Sequence, residues 1–218
     1  MPDDRAMQST GPGDAGFDVR SRIVDQFRKP TGVLGTVAGW IMANRSSNVA
    51  RNHWTVSLLS LPEGAEVLEI GCGPGIGIEA VLQAARSTRI TALDHSEQMI
   101  AMAARRHAAA IESGCLQLLK TELQNLEKGH LFDAIFSCNV MQFVNDRPNA
   151  LALVSEHLKV AGVFATTYQP RGQCATAEEG RRWIGQFAED LCRAEFRDVD
   201  VYEKKFGKMP AFCALAAR

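Results

Sequence analysis

The stretch that most constrains this chain is Val67 to Gly77, VLEIGCGPGIG, in which an apolar run passes directly into glycines at every second position. Val67, Leu68 and Ile70 read as a short buried strand, and Glu79 to Ala85 reads as a helix. Between them, Gly71, Gly73 and Gly75 leave the backbone free to take positive φ and to come close to a ligand where a helix begins. Two phosphate-binding readings fail on spacing. A Walker loop ends in Gly-Lys-Ser/Thr, which is absent, and a dinucleotide fingerprint separates its last two glycines by two residues, whereas every gap here is one.

A second short strand, Arg89 to Asp94, ends in an acid 19 residues beyond Gly75. In a doubly wound sheet this sets a carboxylate at the tip of the neighbouring strand, within reach of both hydroxyls of a ribose. Together with Glu69-x-Gly71-x-Gly73-x-Gly75, and in this order, the chain resembles the class I S-adenosylmethionine-dependent methyltransferases, in particular their UbiE-like, type 11 small-molecule group. The resemblance runs from about Leu61 to Gly162. It implies an α/β fold: a Rossmann-like, doubly wound seven-stranded sheet of order 3-2-1-4-5-7-6 with its last strand antiparallel. It implies S-adenosyl-L-methionine as cofactor and S-adenosyl-L-homocysteine as product.

The resemblance also implies a set of contacts. Glu69, Gly71, Cys72, Gly73 and Gly75 belong to the cofactor turn, and Asp94 to the ribose. His95 lies over the adenine, and Met99 either packs on the adenine face or is a core methionine. Glu122 and Leu123 stand where family members commonly show Asp-Ala. There Glu122 would take the adenine amino group and the Leu123 amide a ring nitrogen, the alternative for Glu122 being a solvated turn acid. Phe132 to Phe143 looks like the family pattern Phe-Asp-x-Val-x-Ser-x-x-Val-Leu-x-His, with Gln142 near the usual His. Asn139, Val140 and Gln142 are thereby the candidates for donor and acceptor contacts, unless Gln142 only caps a helix or a loop.

The chain divides into a tail (1–16) rich in Gly, Pro, Ser and Asp, an N-terminal helical unit (17–60) and the cofactor-binding domain (61–218). Helices are expected from Asp18 to Phe27, from Val33 to Met42, and from a Ser46-Ser47-Asn48 cap through Leu59. This unit is a lid that brings Trp40, Met42 and Asn44 to the sulfonium end, or else Phe27, Trp40 and Trp54 simply pack on core helices; the two are compatible. Downstream, Ser96 caps a helix from Glu97 through Ala110, and another helix covers Leu151 to Lys159. Leu158 to Gly162 replaces the frequent Leu-Lys-Pro-Gly-Gly turn before a strand at Val163 to Tyr168. A helix from Ala177 to Leu191 carries Trp183, Phe187 and Leu191 on one stripe. The chain closes with a hairpin.

The net charge of −1 over 218 residues gives no long-range pull towards nucleic acid or an anionic membrane. The Asn/Pro-Pro-Tyr/Phe motif of amino methyltransferases acting on DNA or protein is absent, since the chain reads Asn139-Val140-Met141-Gln142. No apolar run is long enough to span a bilayer, so no stable membrane insertion and a cytoplasmic location are expected. Six cysteines show neither C-x-x-C nor metal-ligand spacing, and most fall in apolar contexts as free core thiols. The expected partner is a small-molecule acceptor, and a homodimer is open.

The chemistry needs little from the protein. A sulfonium methyl is already activated, so alignment of the nucleophile and exclusion of water suffice. An oxygen acceptor would add a general base. His53 and Tyr168 are the candidates for it, with Gln142 as a third catalytic candidate through contact with donor or acceptor, whereas His107 and His157 read as surface helix positions and His130 as a loop. Without a base, N-, S- or C-methylation or O-methylation of an acidic phenol remains. A lipid or isoprenoid-quinone acceptor, a non-catalytic cofactor-binding partner protein, and a nicotinamide-dependent reductase are the alternatives.

Overall fold

Short aliphatic runs alternating with amphipathic helices build one sheet with helices on both faces, as that alternation requires. The protein is described from a computed structural model over residues 46–172 and 174–218. The expected tail, the two helices over 18–27 and 33–42, and Trp40, Met42 and Asn44 lie outside the described residues.

Helix α1 (Ser46–Leu58) leads into strand β1 (Glu66–Ile70), the glycine turn and helix α2 (Ile76–Ala84). Strand β2 (Arg89–Asp94), helices α3 (Glu97–Arg106) and α4 (Ala108–Glu112), and strand β3 (Leu116–Lys120) follow. Strand β4 (Phe132–Cys138), helix α5 (Arg147–His157), strand β5 (Leu158–Tyr168), helix α6 (Ala177–Arg193) and the hairpin β6 (Arg197–Phe206) and β7 (Met209–Ala217) complete the chain.

The strand order is β3-β2-β1-β4-β5-β7-β6, with β7 antiparallel to both neighbours, as the resemblance implied. Strand β1 lies between β2 and β4 and runs parallel to both, pairing Ile70 with Leu93 on one side and with Ser137 on the other. The chain thus reverses its direction of winding at β1, and the tips of β1, β2 and β4 converge there.

Strand alternation divides the core between the two faces. Phe136 joins Trp54 of α1, Val81 of α2 and Cys213 on one face. Its neighbour Ile135 joins Phe164, Phe187, Leu191 and Phe212 under α5 and α6 on the other.

Four expectations need correction. The helix expected from Glu97 through Ala110 breaks at His107 (φ −118°, ψ 32°), which ends α3 and begins α4. His107 is buried, because the break turns its ring inwards to the glycine turn. His157 is also buried: as the last residue of α5 it faces the sheet, with Nδ1 3.1 Å from the His130 carbonyl. The stretch expected as a turn before β5 is the bent first part of that strand. Leu158 pairs with Phe132, the register then shifts, and Ala161 takes φ 63° where the family's glycine is missing. Of the six free cysteines only Cys72 and Cys213 are fully buried, and Cys174 and Cys192 are exposed. The Ser96 cap is as expected, its Oγ accepting from the Met99 amide at 3.4 Å. No helix among the described residues is long and apolar enough to cross a membrane.

Candidate active site

The glycine turn is held open by its own geometry. Gly71, Gly73 and Gly75 have φ of 70°, 53° and 86°, the left-handed region that side chains resist. At Gly71 a Cβ would lie 2.5 Å from Val140 Cγ2, so the turn passes directly against the exit of β4. At Gly75 it would lie 2.9 Å from the His107 ring, whose Nε2 is 2.7 Å from the Gly75 carbonyl. Burial lowers the His107 pKa, which keeps the ring neutral as a donor to that carbonyl. Around Gly73, by contrast, a Cβ would meet nothing within 4 Å.

Two acids flank the turn. Asp94 accepts from the Gly73 amide at 2.9 Å and from the Ser96 amide at 2.8 Å, so its carboxylate is pinned at the tip of β2. His95 stands beside it, Nδ1 3.7 Å from Asp94 Oδ1 and partly exposed. Glu69 is buried under the helix start. A Cβ on Gly77 would lie 2.1 Å from its Oε1, so only glycine leaves room for the carboxyl. Burial first, and then Asp94, pushes the Glu69 pKa well above the ordinary range, opposed by a hydrogen bond from the Ile78 amide. The Cys72 thiol is likewise pushed up by burial, which makes it inert as a nucleophile.

Met99 is buried at the start of α3, beyond the Asp94 tip. Glu122 is exposed and accepts from Gln124 Nε2 at 3.0 Å, and Leu123 opens the short 3-10 turn that follows β3. At the exit of β4, Asn139 takes φ 57°, donates its amide to the Thr167 carbonyl at 2.8 Å and accepts from the Gln169 amide at 2.8 Å. Val140 is half-buried, and Gln142 sits in the 3-10 turn Met141–Phe143. Among the described residues, Glu69 Oε2, Asn139 Nδ2 and Gln142 Oε1 are buried without a hydrogen-bond partner. Buried polar atoms are ordinarily paired, so three orphans at the tips of β1 and β4 mark a place built for something polar.

Helix α1 is fixed against the tips of β4 and β5 by a polar seam. Thr55 Oγ1 lies 2.6 Å from Thr167 Oγ1, the Cys138 thiol donates to Thr55 Oγ1 at 3.3 Å, and Arg51 Nη1 donates to Gln169 Oε1 at 2.6 Å. Neither of the two base candidates joins this seam. His53 shares its stripe of α1 with the exposed Ser46, Ala50 and Ser57, turned away from Arg51 and Thr55. Tyr168 follows Thr167 in β5 and so points to the opposite face, its ring 4.6 Å from that of Trp183. Burial, and then Glu179, raises its phenol pKa.

Sequence reasoning missed Arg51 and His107. For Arg51 the available signal was the i, i+4 pairing with Thr55 on a stripe shared with Trp54 and Leu58; for His107 it was the polar run Arg105-Arg106-His107 interrupting an apolar period.

A family model described as a methyltransferase domain matches residues 68–164, from β1 into β5. The chain is 28% identical over 183 residues to an uncharacterized methyltransferase, YdaC, of Bacillus subtilis, covering 84% of this chain and 98% of that protein. It is 33% identical over 99 residues to malonyl-[acyl-carrier protein] O-methyltransferase of Bacillus cytotoxicus, covering 45% of this chain and 33% of that protein, so it spans about a third of that relative. Among solved structures, a SAM-dependent methyltransferase from Aquifex aeolicus superposes with a TM-score of 0.68 at 18% identity, over 84% of this chain and 97% of that one.

Residues 68–164 thus match a methyltransferase domain, and in sequence and fold the chain is similar to S-adenosylmethionine-dependent methyltransferases. The residues of this methyltransferase fit that cofactor on their own chemistry. The turn supplies close backbone approach, the pinned Asp94 supplies two acceptor oxygens for a diol, and the orphaned atoms of Glu69, Asn139 and Gln142 supply polar partners for the rest.

Proposed function

We propose that this protein transfers a methyl group to a small-molecule acceptor, mainly by proximity and orientation. The observation that carries this reading is the convergence of three orphaned polar atoms on the tips of β1 and β4, beside a glycine turn and a pinned acid. When bound, the cofactor supplies a methyl already activated on a sulfonium.

The chain's own residues bind and orient. Asp94 takes the ribose hydroxyls, while His95 and Met99 flank the adenine and Glu122 and the Leu123 amide meet its edge. Glu69, Gly71, Cys72, Gly73 and Gly75 enclose the methionine portion. Asn139, Val140 and Gln142 line the place where methyl donor and acceptor meet, and α1 lies over the tips of β4 and β5 beside it, where it excludes water. No general base enters this reading: the raised pKa of Tyr168 and the outward stripe of His53 both speak for an acceptor that is nucleophilic as it binds. The near-zero net charge and the missing amino-methyltransferase motif support an acceptor that is neither nucleic acid nor protein, met in the cytoplasm. The Bacillus cytotoxicus relative is named for O-methylation, and this chain spans a third of it, which supports methyl transfer and leaves the acceptor to experiment.

The test uses the full chain, methyl-labelled S-adenosylmethionine and an extract separated into aqueous small-molecule, lipid and macromolecular pools. Label is expected in the aqueous pool. Label confined to lipid moves the acceptor to the lipid or quinone class. Binding of S-adenosylhomocysteine without label in any pool overturns the catalytic reading in favour of a cofactor-binding partner protein.

A further inference from the structure

Arg51 is a fully buried guanidinium, 1% exposed, on the face of α1 that lies against the tips of β4 and β5. Its Nη1 donates to Gln169 Oε1 at 2.6 Å and its Nη2 to Asn48 Oδ1, both neutral acceptors. Its Nε has no hydrogen-bond partner among the described residues. A buried cation without an anion is costly, and structures that retain one use it.

The surroundings add positive charge and remove negative. The Cys138 thiol beside Arg51 has its pKa pushed up by burial to about 11, so it stays protonated at neutral pH. Arg171, on the loop after β5, lies near enough for its charge also to act on that thiol. Glu69 also acts on that thiol, raising its pKa further, and burial raises the pKa of Glu69 itself.

Gln169 joins this cation to the methyl-transfer end of the cleft. Its Oε1 accepts from Arg51, its Nε2 donates to the Met209 carbonyl at 2.7 Å, and its amide donates to Asn139 Oδ1 at 2.8 Å. The last bond fixes the Asn139 amide so that Nδ2, not Oδ1, is left over. Two unpartnered donors, Arg51 Nε and Asn139 Nδ2, therefore stand at the two ends of one residue's hydrogen bonds, in a positive setting. Two donors match the two oxygens of a carboxylate.

We propose that Arg51 and Asn139 anchor a carboxylate of the acceptor, and that the substrates of this methyltransferase are small organic acids. The inference rests on the methyl-transfer reading above and adds the acceptor's chemistry to it. The carboxylate serves as the handle by which Arg51 orients the acceptor.

The test splits the aqueous metabolites of an extract on an anion exchanger at neutral pH before the reaction. The full chain is then assayed with methyl-labelled S-adenosylmethionine on the retained and unretained pools. Transfer is expected in the retained pool, and is expected to survive prior treatment of that pool with a phosphatase. On the same pool, Arg51→Gln is expected to lower kcat/KM about 30-fold or more. Arg51→Lys should raise KM with kcat nearly kept, and both variants should still bind S-adenosylhomocysteine. Arg51→Lys keeps charge and stem, so it carries the comparison if the glutamine variant does not fold. Transfer in the unretained pool alone overturns the proposal and leaves the methyltransferase reading standing. Loss of transfer after phosphatase overturns it in favour of a phosphorylated acceptor, and an unchanged KM in both variants overturns it as well. Cofactor binding with no transfer in either pool overturns the methyl-transfer reading itself.

Discussion

Burial raises the pKa of Glu69 in the fold well above the ordinary glutamate range in which the unfolded chain releases that proton. The folded state thus binds more protons than the unfolded one across that window, and stability falls as pH rises from the ordinary range towards the raised value. Glu69→Gln removes the titration and keeps the shape. Thermal melts of the cofactor-free protein are expected to show a higher Tm for the variant at pH 8, with the gap closing below the ordinary glutamate range. Its affinity for S-adenosylhomocysteine should drop about 10-fold, about 1.4 kcal/mol. Gly71→Ala makes the opposite trade of space. A Cβ 2.5 Å from Val140 Cγ2 at φ 70° is expected to cost about 1–3 kcal/mol in urea unfolding and to abolish cofactor binding by calorimetry. The positive-φ glycine turn and the place of Asp94 at a strand tip were legible because they follow from local backbone demands. Arg51 was not, because the partner that gives it meaning, Gln169, is 118 residues away. His107 was not, because a periodic pattern cannot show the single residue at which a helix turns.

At the scale of elements, the sheet order and its reversed strand followed from the succession of strands and helices and from the resemblance, whereas junctions did not. The start of β5 illustrates why. A strand can begin inside what reads as a turn when its neighbour, here Phe132, offers a pairing edge, and no local residue announces that edge. Helix α6 holds a second such case. A Cβ on Gly180 would lie 2.2 Å from Cε2 of Phe212, a fully buried ring of β7, and 2.9 Å from Pro170 Cγ. Alanine would gain about 1 kcal/mol of helix propensity. It would also lift the helix off the strand, an overpacking cost of about 1–3 kcal/mol. Gly180→Ala is therefore expected to lower the urea midpoint, with little effect on S-adenosylhomocysteine affinity, since it lies under the sheet and not at the tips of β1 and β4.

For the molecule as a whole, the deciding feature is where β7 sits. It lies between β5 and β6 and buries Phe212, Cys213 and Ala214 at its centre. A chain ended after Gly207 would keep the whole glycine turn and Asp94, yet is expected to show no cooperative urea transition and no S-adenosylhomocysteine binding. A cooperative transition in that shortened chain would mean that the cofactor half of the sheet folds alone. The exposed outer strand β6 meanwhile carries Arg197, Asp198, Asp200, Glu203, Lys204 and Lys205 along the sheet's edge, a charge pattern that discourages pairing with another sheet.

That inserted strand also sets the order of events at the ribosome. Strand β5 is complete at Tyr168, but the strand that covers its free edge starts only at Met209. At about 5–20 residues per second, the interval between them lasts about 2–8 s. Until β7 is made, β5 cannot pair its outer amides and carbonyls, and an unpaired edge is the kind that other nascent chains can join. The topology is therefore expected to tell on expression yield as well as on the stability of the finished enzyme.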